Sequence, residues 1–244
     1  MVEINVLCEL ADKSSFSVDE FFDVYRNNGC QLGEAALRKK LQEFLKRGDI
    51  VRVGRGRYCI SVTDVIRYEH RYSALSCEVA EIMKKNHPYL DFTIFELSQF
   101  NEFLNHQLAH NVIFLSVEEE IAAFVFDTLK EVYPGKVLMD PSVEIYDRYW
   151  YDNMIVIEKL ITEAPKGIQI SWHTRIEKML VDMMSEQILA ESVSESEYPA
   201  VFEDAFKRYV IDESCLFRYA KRRGAKQRIE NLIKEKTAVT LRME

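Results

Sequence analysis

The sequence predicts a mixed α/β protein, α+β overall, in two parts. Two patterns carry that expectation. After about Ser73, short apolar runs alternate with helical stretches, the signature of an α/β unit. Beyond Trp172 the pattern turns purely helical, with Ile176, Met179, Leu180, Met183 and Ile188 on one face. The first 60 residues have a different rhythm.

Ile4, Leu7, Leu10 and Ala11 form one apolar helical stripe. Ser17 with Glu20 three residues on has the spacing of a capping box, opening a helix over Val18–Tyr25. Asn27-Asn28-Gly29 stops it, and a third helix runs from about Gly33 to Arg47 and ends at Gly48. Ile50–Val53 and Arg57–Ile60 are β-prone runs around the turn Gly54-Arg55-Gly56. Helix, helix, turn, helix and hairpin in that order outline a winged helix-turn-helix over residues 1–62. A linker over 63–72 then leads to an α/β domain with a C-terminal helical part, 73–236, and a tail, 237–244.

In that second domain, strands are expected at Asp91–Phe95, Asn111–Leu115, Lys136–Met139, Asn153–Ile157 and Gly167–Ile170. Helices are expected near 75–86, 96–107, 118–132 and 142–149, then at Pro199–Val210 and Cys215–Lys234. Residues 191–198 read as a polar loop or helix cap. No repeat of 20–50 residues is visible.

Composition bounds the function. A chain of 244 residues, 48% hydrophobic and 30% charged, is globular, and its apolar runs fall far short of the ~20 residues a membrane span needs. The five cysteines are scattered without a C-x-x-C pair, which argues against a disulfide framework or a cysteine zinc site. With no secretory signal at the N-terminus, a cytoplasmic location and no membrane partner are expected. The net charge of −8 is unevenly sorted: residues 1–32 carry −4, 33–71 carry +5, 72–217 carry −15 and 218–236 carry +6. Two basic blocks flanking an acidic body suggest a local site for a polyanion.

The first block lies on the third helix and the hairpin. On a helical wheel Leu37, Leu41, Phe44 and Leu45 share the buried side. Ala35, Ala36, Lys39, Gln42, Glu43 and Lys46 lie opposite, with Arg38, Lys40 and Arg47 at the flanks. Small residues near the helix start let a backbone approach a DNA groove, and the longer side chains behind reach bases or phosphates. An ordinary amphipathic helix with a solvated basic face has the same pattern. The hairpin tips the balance, because a turn needs glycine but has no structural need for Arg52, Arg55 and Arg57, whose guanidinium forks suit phosphate oxygens. The expected DNA-binding set is therefore Arg38, Lys39, Lys40, Gln42, Lys46, Arg52, Arg55 and Arg57. Of these, Lys39, Gln42 and Lys46 are the base-edge candidates, and the three arginines the phosphate contacts.

The second block, with Arg218, Arg222, Arg223 and Lys226, has three readings: an auxiliary phosphate contact, a docking face for an acidic partner, or a solvated helix balancing the body. The aromatic run Tyr146, Tyr149, Trp150 and Tyr151 fits either a binding surface or a helix end packed on a sheet.

Catalytic patterns are sparse. Only three of the eight glycines lie beyond residue 56, so no phosphate-cradling loop is present in that part, and G-x-S-x-G is absent. His106 and His110 stand four apart, as two ligands on one helical face would, but lack the Glu of H-E-x-x-H and a third ligand. Asp91 is available to a metal nuclease, whereas Glu158-Lys159 and Glu177-Lys178 are adjacent pairs, which a strand points to opposite faces. No enzymatic activity, cofactor or metal is expected.

Leu45 to Tyr58 (Leu45-Lys46-Arg47-Gly48-Asp49-Ile50-Val51-Arg52-Val53-Gly54-Arg55-Gly56-Arg57-Tyr58) resembles the wing entry of the AbiEi-type antitoxins, predicted transcriptional regulators of abortive-infection toxin–antitoxin systems. Thr174-Arg175-Ile176-Glu177-Lys178-Met179-Leu180-Val181-Asp182-Met183 is similar to the helix P-x-hydrophobic-E-K-hydrophobic-L-V-D of that family's C-terminal domain, with Trp172-His173 where the family has its proline. The resemblance spans about 30–60 and 174–190. It implies an autorepressor that binds operator DNA and is encoded beside a nucleotidyltransferase-like toxin, and it names no catalytic residue. Two other readings stand beside it: a nucleic-acid-processing enzyme targeted by its winged helix, and a protein-interaction scaffold.

Overall fold

Residues 2–11, 13–61 and 67–242 are described by the computed structural model. Part of the expected linker (63–66) and the end of the tail (243 and 244) lie outside them.

The N-terminal elements follow from local chemistry. Helix α1 (Val2–Ala11) buries Val6 and Leu10, and the two-residue strand β1 (Phe16–Ser17) follows. Ser17 caps helix α2 (Val18–Asn27) through a complete capping box: its Oγ accepts from Glu20 N at 3.1 Å, and its own N–H donates to Glu20 Oε2 at 2.7 Å. Helix α3 (Glu34–Arg47) ends at Gly48, whose φ of 82° is left-handed backbone open to glycine at little cost. The chain then enters the hairpin β2 (Ile50–Gly54) and β3 (Arg57–Ile60). These strands form a sheet in the order β1-β3-β2 over a core of Phe16, Phe21, Tyr25, Leu37, Phe44 and Ile50.

The rest is a three-layer α/β unit. Its sheet has the order β4-β5-β7-β6, with β4 (Phe92–Glu96) antiparallel to β5 (Val112–Val117). Strand β7 (Met154–Lys159) runs parallel to β5 and to β6 (Val137–Met139). Strands buried on both faces read as continuous apolar runs, as here. Helices α4 (Ala74–Asn86) and α5 (Ala122–Val132) cover one face, packing on Ile94, Ile113, Leu115, Ile155 and Ile157. The alternate residues Phe95, Phe114, Met154 and Val156 face the larger core. That core holds α6 (Val143–Tyr149), α7 (Ile176–Ser185), α8 (Gln187–Ser192), α9 (Tyr198–Arg208), α10 (Glu213–Arg222) and α11 (Lys226–Lys236). Helix α7 is its centre, with every residue from Ile176 to Met184 buried.

Three local expectations are corrected, and one open reading is divided. Gly167–Ile170 is no strand but a tight loop, closed by Gly167 N–H to His173 O at 2.7 Å and His173 N–H to Ile170 O at 3.1 Å; Ile168 and Ile170 are exposed. The stretch 96–107 makes only a 3-10 turn over Leu97–Glu102, because Glu96 completes β4 and Asn101 pins the following loop through Leu108. Cys215–Lys234 is two helices, broken where Gly224 turns left-handed at φ 65°. The aromatic run divides, since Tyr146 is buried while Tyr149, Trp150 and Tyr151 are exposed.

Candidate nucleic-acid interface

Helix α3 buries Leu37, Leu41 and Phe44 and turns Ala35, Ala36, Lys39, Gln42 and Lys46 outward. Among the described residues neither Lys39 nor Lys46 carries an ion pair, and both stand exposed near Gln42. The flanking cations are tied down. Arg38 lies over the Phe22 ring at 5.5 Å, and Lys40 Nζ sits 2.7 Å from Glu3 and 3.2 Å from Glu43. The Glu3 contact holds the Lys40 ammonium above its usual range and the Glu3 carboxyl below its own.

The hairpin follows α3 directly and packs on it. At its tip Arg55 is exposed, while its backbone N–H donates to Ser214 Oγ of α10 at 2.8 Å. Arg52 folds back, its Nε donating to Gly54 O at 2.9 Å beside the irregularity in the β2–β3 register. Arg57 reaches Glu20 at 3.3 Å and Ser15 Oγ at 2.7 Å, which ties β3 to the start of α2. The eight expected residues therefore differ: Lys39, Gln42, Lys46 and Arg55 present their side chains outward, whereas Lys40 and Arg57 are committed to carboxylates.

In the second basic block Arg218, Arg222, Arg223 and Lys226 each meet a carboxylate. Arg218 and Arg222 converge on Glu163 at 3.7 and 3.6 Å, and Lys226 pairs with Glu230 at 3.3 Å. Arg223 turns inward, 3.3 Å from Asp182 and 2.7 Å from Glu186. The start of α10 nonetheless packs against β2, where Val51, Val53 and Cys59 meet Val210. A cleft of about 370 Å³ opens between hairpin and body, bordered by Arg52, Tyr72, Ile170, His173 and Val210.

A buried ionic cluster escaped the sequence reading. Lys178 on α7 sits 2.6 Å from Asp182 and 3.6 Å from Glu158 of β7, and Ser116 of β5 donates to Glu158 at 2.6 Å. Tyr219 of α10 donates to the other Asp182 oxygen at 2.9 Å. Burial opposes the charge on Lys178, yet Asp182, with Glu158, holds the ammonium well above its ordinary range. Burial also pushes the Glu158 carboxyl up, against the pull of Lys178. A buried lysine that stays protonated has no lone pair to attack or accept a proton, so it serves here as a counterion. The Lys178–Asp182 spacing of i, i+4 was the available signal.

The remaining candidates lie apart. His106 is almost fully exposed beside Glu197 at 3.9 Å, while His110 packs edge-on to Trp150, so the loop does not place them on one helical face. Asp91 is exposed and pairs with Lys166 at 2.8 Å. Among the described residues no group of three His, Cys, Asp or Glu is placed to hold a metal, and no helix is long and apolar enough to cross a membrane.

No curated protein matches the chain. A solved structure, that of the RV2827C protein from Mycobacterium tuberculosis, aligns at 12% identity over 98% of this chain and 83% of that one. Its TM-score of 0.25 carries no argument about fold or function. A family model described as a family of unknown function (DUF6577) matches residues 36–239, from within α3 to past α11. The chain belongs to that family.

Proposed function

We propose that this protein is a DNA-binding transcriptional repressor that acts by recognition and carries no chemistry of its own. Residues 2–61 serve as a winged helix, with α3 in the major groove and the β2–β3 hairpin beside it as the wing. The carrying observation is the outward face of α3: small Ala35 and Ala36, then exposed Lys39, Gln42 and Lys46, on a chain of net charge −8. Lys39 and Lys46 supply charge, Gln42 supplies the donor–acceptor pair that reads adenine, and Arg55 at the hairpin tip contacts phosphate. The resemblance of Leu45–Tyr58 and Thr174–Met183 to the AbiEi-type antitoxins supports a narrower role, an autorepressing antitoxin whose partner is a nucleotidyltransferase-like toxin in the cytoplasm.

The test is fluorescence anisotropy of the full chain on the duplex upstream of its own gene and on random duplex. The expected result is tighter binding to the upstream duplex, with affinity falling steeply between about 50 and 200 mM salt. Absence of binding to either duplex at about 50 mM salt refutes the reading.

A further inference from the structure

We propose that the cleft between the hairpin and the body binds a nucleoside 5′-monophosphate, with the phosphate held by Arg52 and Arg67 and the base laid against Tyr72 and His173. At about 370 Å³ the cleft falls at the small end of the roughly 300–1,000 Å³ of small-molecule sites, which suits one base, sugar and phosphate. Arg52 reaches it from β2, and Arg67 from the segment that leads into α4. Both are exposed, and among the described residues neither forms an ion pair; Arg52 commits its Nε, to Gly54 O at 2.9 Å. Guanidinium forks that no carboxylate neutralises are suited to gripping a phosphate. Of the carboxylates on the cleft, Glu177 accepts from Nε and Nη2 of Arg175 and from Asp212 N–H, and Asp212 accepts from Cys215 N–H. Glu69 is exposed and forms no ion pair among the described residues, which leaves it as an acceptor for ribose hydroxyls.

The aromatic wall is fixed in place. The Tyr72 and His173 rings stand 4.4 Å apart, tilted by 38°, and Ile170 borders the same cleft. The Tyr72 hydroxyl is anchored twice, donating to Ile94 O at 3.0 Å and accepting from Thr174 N–H at 2.8 Å. The His173 ring has no hydrogen-bond partner among the described residues, and burial pushes its imidazole down. At neutral pH it therefore offers a base one donor and one acceptor. The loop that presents it turns tightly, since a Cβ on Gly167 would overlap Ile170 O and stand 2.8 Å from His173 Cβ. Aromatic rings stack on the face of any base, so the wall selects nucleotides as a class. The site does not depend on DNA binding and lies apart from the outward face of α3.

Equilibrium dialysis of the full chain against radiolabelled AMP, GMP, CMP and UMP tests it. At least one should be retained with a dissociation constant below about 1 mM, and inorganic phosphate or the matching nucleoside should compete at least about tenfold more weakly. Arg67→Ala removes charge-assisted hydrogen bonds to the phosphate and should raise the dissociation constant about tenfold or more. Its melting temperature should stay that of the wild type, because Arg67 is exposed and unpaired. Lys39→Ala, on the outward face of α3, should leave nucleotide binding unchanged, which separates this site from the proposed DNA face. Retention of none of the four nucleotides, inorganic phosphate competing as well as the nucleotide, an Arg67→Ala variant that binds like the wild type, or an equal loss in Lys39→Ala overturns the proposal.

Discussion

Replacing Lys178 by methionine keeps the length of the side chain and removes the cation from between two carboxylates. In the native protein its Nζ lies 2.6 Å from Asp182 and 3.6 Å from Glu158, with 3% of the side chain exposed. Deleting one partner of a buried ion pair costs roughly 3–5 kcal/mol, because the other charge stays behind without its counterion. Asp182 keeps Arg223 at 3.3 Å and the Tyr219 hydroxyl at 2.9 Å, so the lower end, about 3 kcal/mol, is expected. Among the described residues Glu158 then keeps the Ser116 hydroxyl alone, and its carboxyl, already raised by burial, rises further without the Lys178 charge. A carboxyl raised in the folded state favours folding while protonated and opposes it once ionised. Lys178→Met should therefore lose more stability at pH 8 than at pH 5. Urea unfolding followed by circular dichroism at both pH values reads this out, and adding Glu158→Gln should remove the extra loss at pH 8. A loss below about 1 kcal/mol that is the same at both pH values would mean that water, rather than Lys178, solvates these carboxylates.

Glu96 is buried at the end of β4 and accepts from Ser73 N–H at 2.9 Å and Ser76 Oγ at 2.5 Å, with His70 Nε2 at 2.9 Å. Burial opposes its charge, but these contacts hold the carboxyl at about 2. Because the folded value is depressed, the stabilisation is complete above the ordinary value of 4.5 and is lost as pH falls towards 2; thermal melts of Glu96→Gln should show a shallower acid decline than the wild type. Ser17→Ala removes the cap of α2 and should cost about 1 kcal/mol in urea unfolding; no change would mean that Glu20 and water replace it. Gly48→Ala meets no atom within 4 Å, so its cost, about 1 kcal/mol from the left-handed backbone alone, should appear as a lower melting temperature.

The N-terminal elements were legible because each is fixed by neighbours in sequence. The Ser17/Glu20 box, Gly48 and the Gly54-Arg55-Gly56 turn act within a few residues, and the helices and hairpin follow them closely. Gly167–Ile170 misled because an apolar run says nothing of its partners: β4 donates its outer bond, from Ile94 N–H, to Trp172 O, leaving Ile168 and Ile170 in the loop before it. The site was legible as residue types but not as partnerships. Lys40 and Arg57 look like Lys39 and Arg55 in the sequence, yet Glu3 and Glu20, 37 residues away in each case, take them up. The same holds for Arg223, which reaches across to Asp182 and Glu186, and for the Lys178 cluster, gathered from β5, β7, α7 and α10.

The proposed DNA binding rests on the outward face of α3, and the salt dependence of DNA affinity addresses that face directly. Lys39 and Lys46 are to be replaced together by alanine, with Lys84 and Lys85, exposed on α4, replaced together as the control. Each lost phosphate contact lowers the slope of log affinity against log salt by about 0.9. The α3 variant should bind the upstream duplex more weakly with a slope reduced by up to about 2, while the α4 variant keeps the wild-type slope. Equal slopes in both variants and the wild type would contradict the assignment of α3 as the DNA-contacting helix.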